Sequence, residues 1–131
     1  MHATQVPQPF HTKGWVYEEK YDGWRMLARK EAGHVRLVSR NGRHHSKKFR
    51  AIVEVLAALK PETLTLDGEV AVFDSELISR FEWLRHINHG DLATPPLFMA
   101  FDLLQLGEND YRPESLKIRR KALEKLVKAR R

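Results

Sequence analysis

TLTLDGEVAVFD, residues 63–74, alternates without a break. Leu64, Leu66, Gly68, Val70 and Val72 fall on one side of an extended chain, and Thr65, Asp67, Glu69 and Ala71 on the other. Period two over this length predicts a β-strand with one face for a core and a second face from which two carboxylates project. Outward from it the pattern changes period. On the N-terminal side, Phe49, Ile52, Val53, Leu56 and Leu59 recur at helical spacing, with Ser46 as the expected cap and Pro61 as the stop. Before that helix come three short runs of strand character, residues 16–21, 24–30 and 34–40, separated by turns at Asp22-Gly23 and Ala32-Gly33 and followed by Asn41-Gly42. On the C-terminal side the reading is a helix from Ser79 to about Ile87 and a Thr94-Pro95-Pro96 break. An apolar strand follows over 97–106, expected to be central and well covered, then a basic helix begun by Pro113. Strands, helix, strand, helix, strand, helix with short loops predict an α+β fold, a largely antiparallel sheet with flanking helices.

The composition sets outer limits. At 131 residues, with 42% apolar and 31% charged side chains, the chain fits one globular domain or part of one. No apolar run approaches the roughly 20 residues that span a bilayer, and the first 13 residues lack the basic start and apolar stretch of a secretory signal. Residues 1–13 therefore read as a polar lead-in, and the expected location is the cytoplasm of a prokaryote. Zero cysteines exclude a disulfide framework, a thiolate metal site and a thiol nucleophile, which leaves covalent chemistry to Lys, Ser, Thr, Asp or His. The net charge of +6 is unevenly placed: residues 117–131 hold eight of the 23 basic side chains and one acid, Glu124. From Ala32 to Val53 there is no acid at all, while Arg36, Arg40, Arg43, Lys47, Lys48 and Arg50 accumulate. Such clusters attract polyanions, although a basic run is also an ordinary solvated face.

The stretch EEKYDGWR at 18–25 raises the chemical question. A lysine nucleophile attacks only when unprotonated, and a short strand running into a tight Asp-Gly turn is a mount that could hold Lys20 against an anionic reactant. A lysine beside such a turn is more often merely exposed. The balance shifts when the segments are read together. KYDGWR at 20–25, SRNGR at 39–43, LDGEV at 66–70 and FDLL at 101–104 resemble, in order and spacing, motifs I, Ia, III and IIIa of the covalent nucleotidyltransferases, and among these the ATP-dependent DNA ligases. The flavour is closest to the ligase domain of bacterial end-joining ligases, whose fold is that shared by DNA ligases and mRNA capping enzymes.

That resemblance implies the roles. Lys20 would attack the α-phosphate of ATP and carry AMP covalently, with Asp22 and Gly23 forming the turn that presents it. Glu18 would recognise the adenine and Phe101 stack on it. Arg25 and Arg40 would contact ribose and phosphates, and Glu69 the ribose and a Mg²⁺ ion. Asn41, Arg43, Lys47 and Lys48 are candidates for the DNA backbone. Asp67 has a local backbone role as its alternative, and Asp102 is expected on the strand face opposite Phe101. The histidine pairs His44-His45 and His86/His89 lack a third ligand, and Trp15, Trp24 and Trp83 read as packing.

The same resemblance implies that residues 14–131 are the N-terminal part of an adenylation domain. The later metal-binding and lysine-bearing motifs and the OB-fold domain are missing from the sequence. Alone, the chain is then expected to be poor at the first step and unable to seal a nick, with an uncovered sheet edge that invites a homodimer. Two alternatives stay open: a non-catalytic module binding nucleotide or DNA, and an RNA ligase or capping-type enzyme.

Overall fold

The computed structural model describes residues 5–86 and 92–129. β1 (Trp24–Glu31), β2 (His34–Ser39), β3 (Leu64–Ala71), β4 (Leu97–Leu106) and β5 (Asn109–Asp110) form one antiparallel sheet in the order β2-β1-β3-β4-β5. α1 (Arg50–Ala57) follows β2 and α2 (Leu116–Lys128) follows β5. β3 is thus the central strand, and its burial alternates as its sequence does: Leu64, Leu66, Gly68 and Val70 buried, Thr65, Asp67 and Glu69 half-buried. The buried face joins Met26, Ala28 and Leu37 from the neighbouring strands, Ile52 and Leu56 of α1, and Leu123 of α2 in one apolar cluster.

The β1–β2 hairpin closes through a two-residue loop in which Ala32 (φ 47°) and Gly33 (φ 80°) are both left-handed, the geometry that matches the twist of the strands it joins. α1 is tied down by Lys30, which is 3% exposed and donates through Nζ to the carbonyls of Ala57 and Leu59 at 2.7 and 2.6 Å. These carbonyls lie at and beyond the end of α1, where no helical partner remains for them.

The structure departs from five expectations. Residues 16–21 are coil rather than a strand, exposed over 16–20 and half-buried at Tyr21: both sides of β1, into which they lead, are taken by β2 and β3. Ser46 does not cap α1; its Oγ accepts the Leu37 N–H, and Phe49 occupies the N-cap. The helix expected from Ser79 is a single 3₁₀ turn over Phe81–Leu84, while Ile87 and His89 lie outside the described residues. β4 is half-buried rather than central, since only its last two residues pair with β5. Trp15 is 62% exposed, its ring edge-on to Phe10, whereas Trp24 and Trp83 do pack against the core. No helix among the described residues is long and apolar enough to cross a membrane.

An apolar groove of about 610 Å³ opens between α1, the start of β4 and the end of α2. None of Lys20, Arg25, Glu69 or Phe101 lines it, so this groove is not where the candidate chemistry sits.

Candidate active site

The site grows from the outer face of β3. Register places Arg25 of β1 opposite Glu69 and Leu27 opposite Asp67, so Arg25 stands on the same face as the two carboxylates. Its guanidinium grips Asp67 with two parallel bonds, Nε to Oδ1 at 3.0 Å and Nη2 to Oδ2 at 2.6 Å. On the far side, β4 shifts register: Asp67 faces Asp102 and Gly68 faces Ala100, which leaves Phe101 as an extra residue. Such a bulge turns side chains out of simple alternation. The Phe101 ring accordingly lies under the Arg25 guanidinium, 5.5 Å from its centroid, and Asp102 is close enough for its charge to act on Arg25. Simple alternation predicts Asp102 on the opposite face; the bulge is the reason it is not there.

The Asp22-Gly23 turn is fastened to this face at three points. The Asp22 N–H donates to Ser79 Oγ at 2.8 Å, and Asp22 Oδ2 accepts the Phe81 N–H at 3.3 Å. Gly23 presses on β3: a Cβ there would stand 2.3 Å from the Val70 carbonyl oxygen. Gly23 is not among the residues with positive φ, so the demand for glycine is close approach and not a left-handed backbone angle. Ser79 is itself held by the loop before it, where Asp74 accepts the N–H groups of Glu76 and Ile78 and pairs with Arg80. These backbone donors, Ile78 first, hold the Asp74 carboxyl below its ordinary value.

Lys20, two residues before the turn, is exposed, and its charge reaches Glu69. Burial raises the Glu69 pKa above its ordinary 4.5; the Gly23 backbone N–H and the charges of Lys20 and Arg25 oppose that rise. Glu69 therefore sits where a cation or a hydrogen-bond donor from a ligand would relieve it.

Other predicted residues divide into two groups. The register that pairs Met26 with Ser39 puts the exposed 40–43 turn at the same end of the sheet as Arg25. That turn is closed by bonds from Gly42 N–H to the Ser39 carbonyl and from Ser39 N–H to the Arg43 carbonyl, and it presents Arg40, Asn41 and Arg43 outward. Lys47 is exposed beyond it. Lys48 folds back, with Nζ 4.6 Å from the centre of the Trp24 ring and bonded to the Arg85 carbonyl. His45, stacked edge-on to Trp24, is held below its ordinary pKa by burial and then by Lys48, Arg43 and His44. Glu18, in exposed coil, is paired with Arg120 of α2.

Sequence reasoning misses Ser79, Arg119 and Arg120. Arg119 makes a two-point bond to Asp102 (2.7 and 2.9 Å) and so anchors α2 beside the bulge. In the sequence both arginines are simply members of a basic run; Arg119 lies 17 residues beyond Asp102 and Arg120 102 residues beyond Glu18, and nothing local announces either pairing.

An antiparallel sheet presenting a lysine turn, an arginine and paired carboxylates on one face defines a nucleotidyltransferase class of fold, and the comparisons with known proteins place the chain within it. The profile of the ATP-dependent DNA ligase domain matches residues 2–131. The multifunctional non-homologous end joining protein LigD of Pseudomonas aeruginosa is 36% identical over 128 residues, covering 98% of this chain and 15% of that protein. DNA ligase C1 of Mycolicibacterium smegmatis is 34% identical, covering 94% of this chain and 38% of its own length. The crystal structure of the ligase domain of Mycobacterium tuberculosis LigD superposes with a TM-score of 0.73 at 35% identity, over 86% of this chain and 36% of that one. A mycobacterial DNA ligase D complexed with ATP matches similarly, with a TM-score of 0.70. The chain belongs to the ATP-dependent DNA ligase domain family. It spans well under half the length of each of these relatives.

Proposed function

We propose that this chain is the N-terminal part of the adenylation domain of a bacterial end-joining DNA ligase, acting in the cytoplasm, and that Lys20 is its nucleophile. The observation that carries the reading is the fastening of the lysine turn: Gly23 lies against the Val70 carbonyl and Asp22 is held by Ser79 and Phe81, and from this turn the charge of Lys20 reaches Glu69. In the step so built, the Lys20 Nζ–Pα bond forms as the bond from Pα to the β-phosphate bridging oxygen breaks. Pyrophosphate leaves and the amine proton goes to solvent. Phe101 offers the adenine a stacking face, Glu18 accepts from its amino group, and Arg25 and Arg40 lie at the phosphate end. In the full ligase AMP passes to a 5′-phosphate at a DNA break and a 3′-hydroxyl displaces it, with Asn41, Arg43 and Lys47 on the DNA backbone.

Magnesium fits this donor set as a shared ion. Among the described residues no group of three or more His, Asp or Glu could hold a metal alone, and Asp67 is occupied by Arg25, which leaves the partly desolvated Glu69. One carboxylate with substrate phosphates and water is a usual Mg²⁺ environment. When bound, the ion would offset charge on the phosphates during transfer.

The test is incubation with α-labelled ATP and Mg²⁺ followed by denaturation. Label retained on the protein and lost in Lys20→Ala is expected; equal label in the mutant, or none even in a chain extended to the length of the solved ligase domain, would refute the assignment. A homodimer through the outer part of β4 would appear as concentration-dependent sedimentation, and a monomer at high concentration would exclude it.

A further inference from the structure

We propose that Arg120 is a positioning residue that sets base selectivity, an inference that rests on the roles given above to Glu18 and Phe101. Nη1 of Arg120 donates to Glu18 Oε1 and also approaches the Phe101 carbonyl at 3.4 Å. One guanidinium nitrogen therefore links the two groups that would grip the base, although they lie 83 positions apart in sequence and on different segments, the N-terminal coil and β4. Arg120 comes from a third, the helix α2, whose own placement is fixed one residue earlier by the two bonds of Arg119 to Asp102. The coil needs this tie: residues 15–20 are exposed and form no part of the sheet, so Glu18 has no strand neighbours to orient it.

The chemistry follows from what a carboxylate can do. It only accepts hydrogen bonds. With Oε1 committed to Arg120, its second oxygen is left to accept from the exocyclic amino group of adenine. Guanine places a carbonyl oxygen at the same ring position, and two acceptors facing each other repel, so a fixed carboxylate discriminates where a freely rotating one would turn away. Arg120 thus acts through Glu18 and the backbone of Phe101, touching no reacting atom.

The experiment measures binding of α,β-methylene ATP and α,β-methylene GTP by calorimetry, since neither analogue can release pyrophosphate and no covalent step intervenes. The intact chain should prefer the adenine analogue. Arg120→Ala should weaken that analogue by roughly tenfold, the weight of one charge-assisted hydrogen bond, and leave the guanine analogue little changed. Arg120→Lys, which keeps the charge and loses the fork, should fall between. In a Glu18→Gln background Arg120→Ala should add little, because the two side chains act as one unit. Arg112→Ala, which removes a more exposed arginine paired with Asp110, should keep the preference of the parent. An unchanged preference in both Arg120 variants would overturn the proposal and leave Lys20 as the nucleophile. Additive losses in the double variant would also overturn it. Should Arg120→Ala fail to fold, the Arg120→Lys and Glu18→Gln comparison decides by the same criteria. If neither the parent nor a chain extended to the length of the solved ligase domain bound either analogue, the nucleotide reading itself would fall, and this inference with it.

Discussion

Glu69 is subject to opposed demands. The metal-binding role proposed for it asks for an ionised carboxylate on the site face, while half-burial beside Asp67 resists ionisation. Its folded-state pKa lies above the ordinary 4.5, so ionisation costs the folded protein more than the unfolded chain, and the cost is present at neutral pH and absent below about pH 4.5. Glu69→Gln should therefore raise the melting temperature at pH 7, with the gain shrinking to nothing as pH falls through that range, while label transfer from ATP is lost. A melting temperature lowered at pH 7 would contradict the sign. Gly23 supplies a second test at this scale. Gly23→Ala must drive a methyl group into the Val70 carbonyl, so the turn or β3 has to move; a loss of about 1–3 kcal/mol on chemical denaturation is expected, together with slower labelling. The residue types at the site are legible from the sequence because β3 alternates. The exposure of Phe101 on the site side is not, since a ten-residue apolar strand gives no sign of the bulge that turns it outward.

At the level of elements, local pattern succeeds where an element's neighbours are adjacent in sequence. Turn residues and periodicity predict the β1–β2 hairpin, α1 and β3, and each stands within two or three residues of its expected bounds. The strand expected at 16–21 fails for a reason no local pattern contains: both edges of β1 are taken by β2 and β3. Two substitutions probe what holds the elements. Ala32 occupies a left-handed position at φ 47°, which a side chain disfavours, so Ala32→Gly should stabilise the hairpin by about 0.5–1 kcal/mol in thermal or chemical unfolding. Lys30→Met keeps the stem but leaves the Ala57 and Leu59 carbonyls without their donor, and a loss of about 1–3 kcal/mol is expected. No loss there would mean that water replaces the ammonium group.

Over the whole molecule, charge and fold are arranged independently. The net charge of +6 resides mainly in α2 and in the acid-free stretch that ends in α1, while the site face carries Asp67, Glu69 and Asp102. If the 40–47 segment meets a DNA backbone, the affinity for duplex should fall linearly with the logarithm of salt concentration. Replacing Arg43 and Lys47 together by Ala should flatten that slope by about 2, near 0.9 for each phosphate that the protein no longer neutralises. An unchanged slope would remove these residues from the interface. The exposed coil that precedes the Asp22-Gly23 clamp has a different consequence. Lys20 belongs to a stretch that contributes no residue to the core, so Lys20→Met should alter unfolding free energy by no more than about 0.5 kcal/mol. A descendant of this chain could therefore lose the chemistry proposed for Lys20 in one mutation and keep its architecture intact, so a well-folded relative lacking the lysine would be an inexpensive evolutionary outcome.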